Sequence, residues 1–282
     1  MKLLITGAYG QLGSELKELV NQFSEFEYQF TDVDSLDITN EIGVENFFKK
    51  NRPGYIINCA AYTAVDKAEE EPEMAEKINA VAPGILAKYA KQIQAKFINI
   101  STDYVFSGTA NRPYSEVEEV HPQGVYGKTK LQGELNSFNE NPETVVIRTS
   151  WLYSAFGNNF VKTMLRLGAE RNNLKVVFDQ VGTPTYAADL AKTILSIIQL
   201  SEKNVVNFVP GIYHFSNEGV CSWYDFAKTI FEMSEINCSV VPVLSDEFPT
   251  PAKRPHYSVL NKIKIKDTFG IEIPYWKDSL KK

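Results

Sequence analysis

The stretch Leu3–Leu16, LLITGAYGQLGSEL, decides how the rest of the chain is read. An apolar run ends at Thr6, glycines follow at 7, 10 and 13, and a helical pattern begins near Ser14. Glycines between a strand and a helix allow a tight turn and let the backbone approach a pyrophosphate. The free N–H groups at the helix start then face the anion. An accidental glycine-rich turn is the competing reading, but it has no need of a strand before it and a helix after it.

Working outward, short apolar runs recur at Lys2–Ile5, Tyr28–Thr31, Tyr55–Cys59, Phe97–Ile100 and Val145–Arg148. Helical patterns lie between them at Ser14–Phe23, Val44–Lys50, Glu73–Lys91 and Gly127–Phe138. Continuous apolar strands alternating with helices predict an α/β fold, a doubly wound parallel Rossmann sheet covered on both faces. The rhythm changes after residue 150. Helices are expected near Asn159–Ala169, Ala187–Leu200 and Trp223–Met233, and strands near Lys175–Phe178 and Ile212–Phe215. The segment FPTPAKRPHY, with three prolines, reads as irregular. We expect a dinucleotide-binding domain over 1–150, re-entered by the chain near 187–215, and a smaller, mainly substrate-binding C-terminal lobe over 151–282.

The bulk properties narrow the function. The 282 residues carry a net charge of −6, which argues against nucleic acid or an anionic membrane as partner. A phosphate-bearing ligand must therefore be held by a few local donors. No apolar run approaches the ~20 residues of a membrane span, and the first residues lack a cleavable signal pattern, so a cytoplasmic protein is expected. Cys59, Cys221 and Cys238 are far apart and odd in number, reading as buried or incidental thiols, with Cys59 in the core. His121, His214 and His256 have no metal-ligand spacing, and no metal site is expected.

VYGKTK, Val125–Lys130, puts a phenol and an ammonium four residues apart, on one helix face. Alone, such a pair is usually a solvated surface. Beside a nucleotide loop it has a chemical use. A phenol of pKa about 10 is a poor acid near neutrality, and a cation one turn away should lower that value. Tyr126 can then exchange a proton with a carbonyl oxygen as hydride moves. ISTDYVFSG, Ile100–Gly108, brings Ser101 and Thr102 to the end of the fourth strand, where a hydroxyl can fix a substrate carbonyl or merely cap the strand.

The G-x-x-G-x-x-G spacing and Y-x-x-x-K together resemble the short-chain dehydrogenase/reductase superfamily. NCAAYTAVDKAEEEP, ISTDYVFSG, VYGKTKLQGE, RTSWLYSAFGNNFVKTMLRL, DQVGTPTYAADLA and RPHYSVL follow in order over nearly the whole chain. They are similar to the dTDP-4-dehydrorhamnose reductase family of the extended group. The resemblance implies NAD(P)H-dependent reduction of a dTDP-4-keto sugar to dTDP-L-rhamnose, a surface-polysaccharide precursor. It implies Thr102, Tyr126 and Lys130 as catalytic residues. Gly7, Gly10, Gln11, Leu12 and Gly13 match the pyrophosphate loop. Asp37 and Ile38 match the adenine segment, and Ala60, Ala61 and Tyr62 the stretch under the cofactor, which Tyr126 and Lys130 also reach. Thr63, Val65, Tyr104 and Trp151 match substrate positions, although a tryptophan is also ordinary core. Arg254, in the proline-bounded loop with Lys253 and His256, is a candidate for the substrate diphosphate or for an ion pair between lobes.

Relatives set limits on this reading. Nucleotide-sugar 4,6-dehydratases carry Thr-Asp-Glu where this chain has Thr102-Asp103-Tyr104. Epimerases usually lack STDYVF and RTSW. A regulatory subunit that binds a dinucleotide without turnover is the non-enzymatic alternative. Asp32 and Asp34 stand where an acid meets the adenosine ribose and disfavours a 2′-phosphate, whereas the family commonly uses NADPH, so NADPH or NADH is expected. Some members form Mg²⁺-bridged dimers through glutamates. Glu15 and Asp189 are present but no third acid is evident, so Mg²⁺ is not expected to be required, and a monomer or weak homodimer is expected.

Overall fold

The computed structural model describes residues 1–282. In its first half β1 (Lys2–Thr6), α1 (Gln11–Glu18), β2 (Glu27–Thr31), α2 (Glu41–Asn51) and β3 (Tyr55–Asn58) alternate. Two short helices, α3 (Val65–Ala68) and α4 (Pro72–Glu76), lead into a π turn (Lys77–Val81) and α5 (Ala82–Gln92). Then come β4 (Lys96–Thr102), α6 (Val125–Glu140) and β5 (Thr144–Thr149). The second half holds β6 (Leu152–Tyr153), α7 (Phe160–Glu170), β7 (Asn173–Val177), β8 (Val181–Gly182), β9 (Thr185–Tyr186) and α8 (Ala187–Glu202). It ends with β10 (Gly211–His214), β11 (Cys221–Ser222), α9 (Trp223–Met233), β12 (Ser239–Val243), α10 (Ile263–Phe269) and α11 (Trp276–Leu280).

Six strands form one parallel sheet in the order β10-β5-β4-β3-β1-β2. The strand order reverses around β1, so a crevice opens at the carboxyl ends of β1 and β3, where ligands bind in open α/β sheets. β3 and β5 are buried at every position, which is why both carry short apolar runs, residues 55–57 and 145–147. One face packs on α1, α8 and α10 through residues such as Leu16, Ile194 and Phe269. The other packs on α2 and α5 through Phe48, Leu86 and Ala90. At the carboxyl edge, Thr6 donates to Asn58 (2.6 Å) and Asn58 to Asn99 (2.9 Å), tying three strands by side chains. A separate apolar cluster gathers α7, α9, β7 and β12.

Two helices differ from the sequence expectation. α1 runs from Gln11 to Glu18 rather than from Ser14 to Phe23, so its first turn begins inside the glycine loop. The pattern over Glu73–Lys91 is interrupted by the π turn. Pro83 has no N–H to give the carbonyl of Asn79 four residues earlier, so a regular α-helix cannot run through it unbroken.

α6 carries few apolar residues on its buried side, which is lined by Gly127, Thr129, Lys130, Gly133, Glu134 and Ser137. It can therefore lie very close to its neighbours. A Cβ on Gly127 would sit 2.2 Å from the carbonyl oxygen of Tyr104. We expect Gly127→Ala to cost about 1–3 kcal/mol in urea denaturation, as overpacking does, against a helix-propensity gain of about 1 kcal/mol. Because the shift displaces Tyr126, kcat should fall further than the loss of folded protein explains. Unchanged stability and activity would show that the helix has room to move.

Candidate active site

A cleft of about 980 Å³ lies over the carboxyl ends of the strands. Gly7, Gly10, Gln11 and Leu12 line it after β1, Asp32, Asp37 and Ile38 after β2, and Ala60, Ala61, Thr63 and Val65 after β3. Gly7 has φ +65°, and a Cβ there would lie 2.6 Å from the Ala60 backbone nitrogen, so the two loops can meet only at a glycine. Gly10 begins α1 with no side-chain cap and no acid in the first turn. The helix N-terminus is thus left open to an anion. These features fit a dinucleotide pyrophosphate.

At the other end, Thr102, Tyr104, Tyr126, Lys130 and Trp151 line the same cleft. Tyr126 and Lys130 lie in the first two turns of α6, and Thr102 ends β4. Burial pushes the Tyr126 phenol up to about 12, partly offset by the Thr102 hydroxyl. The expected lowering is therefore corrected: desolvation outweighs the one lowering influence, the hydrogen bond to Thr102. Lys130 is only 3% exposed, and its Nζ donates to the Ile100 carbonyl at 2.6 Å. Burial brings its pKa down to about 8, while Glu134 and Cys59 act in the opposite sense. Asp103, between Thr102 and Tyr104, is pushed up to about 7 by burial, and the hydroxyls of Thr102 and Ser258 restrain the rise.

Several residues lie elsewhere than the sequence suggested. Ser101 borders the cleft, but its hydroxyl donates to Glu134, leaving Thr102 as the hydroxyl beside Tyr126. Cys59 follows β3 and is half-buried: it packs against the sheet core and also lines the cleft near Lys130. Gly13 does not line it and packs behind the Gly7 carbonyl. Tyr62 is turned away, its N–H donating to Asn79 (2.8 Å) and its hydroxyl to Glu71 (2.7 Å). Asp32 lines the cleft and accepts the Tyr9 N–H at 3.0 Å, whereas Asp34 accepts the Tyr9 hydroxyl at 3.3 Å. Glu15 accepts from Ser154 (2.6 Å), Asp189 is held by Asn217, Ser279 and Lys282, and no group of three acidic, histidine or cysteine residues could hold a metal.

Trp151 adopts φ +47°, and its ring stacks on Trp223 with centroids 3.6 Å apart. One ring face is thereby occupied. Trp223 also lines the cleft and was missed from sequence. Its signal was present, since Ser222 and Asp225 form a capping box that fixes Trp223 as the first residue of α9.

Arg254 does not line the cleft. Its Nη1 and Nη2 donate to the two carboxylate oxygens of Asp66 at 2.9 and 2.7 Å, and the Ala252 N–H adds a third bond at 3.1 Å. The pairing holds the Asp66 carboxyl below its usual range and the Arg254 guanidinium above its own. An ion pair stood as the alternative to diphosphate binding, and this one joins the loop of Arg254 to α3.

Fold and site together define an extended short-chain dehydrogenase/reductase with a nucleotide loop and a tyrosine–lysine pair in one cleft. The family model described as RmlD substrate binding domain matches residues 1–282. A protein of Aggregatibacter actinomycetemcomitans named dTDP-4-dehydrorhamnose reductase is 42% identical, over 99% of this chain and 97% of its own. The crystal structure of a dTDP-4-dehydrorhamnose reductase from Clostridium acetobutylicum is 50% identical with a TM-score of 0.94, covering 100% of this chain and 97% of that one. One from Bacillus anthracis, in complex with NADP, is 41% identical with a TM-score of 0.92, covering 99% and 96%. This chain belongs to the dTDP-4-dehydrorhamnose reductase family. No helix is long and apolar enough to cross a membrane.

The Asp66–Arg254 pair generates a test. In a double-mutant cycle of Asp66→Asn and Arg254→Met, we expect a coupling of about 1 kcal/mol in urea unfolding, the scale of a partly exposed ion pair of good geometry. Zero coupling, with a selective rise in KM for the sugar nucleotide in Arg254→Met, would return this arginine to the substrate.

Proposed function

We propose that this chain reduces the 4-keto group of dTDP-4-dehydro-L-rhamnose to give dTDP-L-rhamnose for surface polysaccharide, using NADPH or NADH. The observation that carries this reading is the convergence of Tyr126, Thr102 and Lys130 in the cleft that also holds the uncapped start of α1. Family membership and the NADP complex of the Bacillus anthracis relative support it.

A reduced nicotinamide, when bound, supplies the hydride. The chain does the rest. Gly7, Gly10, Gln11 and Leu12 receive the pyrophosphate, Asp37 and Ile38 border the adenosine, and Ala60 and Ala61 form the floor. Gly13 and Tyr62 act from behind as packing. Tyr126 keeps its proton through neutral pH because burial holds its pKa near 12. It releases that proton to the ketone oxygen as hydride reaches the carbon. Lys130 opposes the phenolate charge that results, and Thr102 orients the oxygen. Thr63, Val65, Tyr104 and Trp151 line the sugar side. Soluble nucleotide substrates favour a cytoplasmic location, and we read the chain as a monomer or weak homodimer.

Tyr126→Phe removes the proton donor and little else. The variant should fold and bind NADPH as the parent does, while kcat for oxidation of NADPH by the keto sugar falls about 10²–10⁴-fold. A near-normal kcat would falsify the assignment, and absence of turnover in the parent chain would point to a binding subunit.

A further inference from the structure

Behind the tyrosine–lysine pair lies a buried charge cluster that the mechanism above does not use. Glu134 follows Lys130 by four residues on α6 and is 1% exposed. Its carboxylate accepts Arg148 Nε at 2.9 Å and Nη2 at 2.6 Å, and it also accepts the Ser101 hydroxyl. Arg148, on β5, is 2% exposed and lies over the Phe106 ring, 5.1 Å from its centroid. An ion pair this deep costs several kcal/mol of desolvation per ion and is weak evidence of stability in itself. Its position suggests a use. Tyr126, Lys130 and Glu134 are spaced at four residues, so they share one side of the helix, and Arg148 meets that row at its inner end.

We propose that Glu134, held by Arg148, is a positioning residue that keeps Lys130 charged in the active site and so sets the alkaline limit of the reaction. The inference rests on the assignment of Tyr126 and Lys130 above. A buried lysine loses its proton readily, and a carboxylate one turn away opposes that loss. The surroundings give Glu134 this task. Around Lys130 stand Tyr126 and Glu134 on its own helix, and Cys59 after β3. Asp103 lies after β4 and acts on Tyr126. Arg148 lies on β5 behind Glu134. The π turn presents neutral Asn79 to Thr129, and its Lys77 lies toward Asp37. Glu69 meets the helix one turn earlier, at the Val125 N–H. Glu134 thus sits between two cations, Lys130 in the cleft and Arg148 behind it. Without the carboxylate, Lys130 would lose the charge that favours its protonated form, and Arg148 would lose its buried partner.

The sign follows directly. Lys130 must carry its proton to oppose the phenolate, so activity is present below its pKa and lost above it. Removing the Glu134 charge lowers that pKa, and the loss should begin at lower pH. The test is the pH profile of kcat/KM for the keto sugar with NADPH in excess, from pH 6 to 9.5. Glu134→Gln should move the alkaline limb down by about one pH unit or more, the effect of losing a near opposite charge. The double variant Glu134→Gln/Arg148→Gln removes both charges, a change that buried pairs often tolerate. It should move the limb the same way, and it carries the test should the single variant not fold. A limb that stays in place while the melting temperature falls would overturn the proposal and leave the pair purely structural. Lys130→Met reports on the underlying assignment separately, because a parent-like kcat there would remove Lys130 from the chemistry whatever Glu134 does.

Discussion

One buried ammonium constrains the carboxyl edge of the sheet. Lys130 is 3% exposed, yet an ammonium taken out of water must be met by acceptors or by negative charge. The Ile100 carbonyl meets it directly, and Glu134 follows one turn along α6. Glu134 in turn requires a cation, and Arg148 supplies it from inside β5. A helix that buries such a row cannot also present an apolar stripe. α6 instead uses small residues and close approach, with Gly127 against the Tyr104 carbonyl. The position of Tyr126 over Thr102 follows from this packing.

The residues after β5 meet the first half of the chain through contacts that differ in kind from those of the core. Trp223 of α9 stacks on Trp151, which follows β5. Ser154 donates to Glu15 of α1, and Arg254 reaches across to Asp66 of α3. β10 joins the central sheet beside β5, α8 packs under it, and α10 packs on the same face. The chain therefore crosses between the two cores more than once. Of these ties, the Trp151–Trp223 stack also lines the cleft.

The glycine turn after β1 was readable because its geometry is local. A strand, three glycines and a helix start lie within fourteen residues, and backbone geometry dictates what they form. The tyrosine–lysine pair was readable for the same reason, since helical spacing brings residues 126 and 130 to one face. Other expectations depended on distant partners. Ser101 and Thr102 are adjacent in sequence and their hydroxyls point to opposite duties, one to Glu134 and one toward Tyr126. Cys59 reads as strand core, and only the folded chain shows that, just past the strand end at Asn58, it borders the cleft as well. The direction of the Tyr126 shift depended on how deeply the phenol is buried, and spacing says nothing of depth. For Arg254 the sequence left two partners open, and only the folded chain shows Asp66 within reach.

The sequence by itself determined the parallel α/β architecture, the glycine turn between β1 and α1 and the family, because periodicity, glycine placement and ordered motifs are carried by near neighbours. The tertiary structure alone decided the charge state of the site and the walls of the cleft. The burial of Lys130, the desolvation of the Tyr126 phenol, the Glu134–Arg148 pair and the Trp151–Trp223 stack arise where segments far apart in the chain exclude water from one another. Desolvation is a property of that assembled surface, and no single segment carries it.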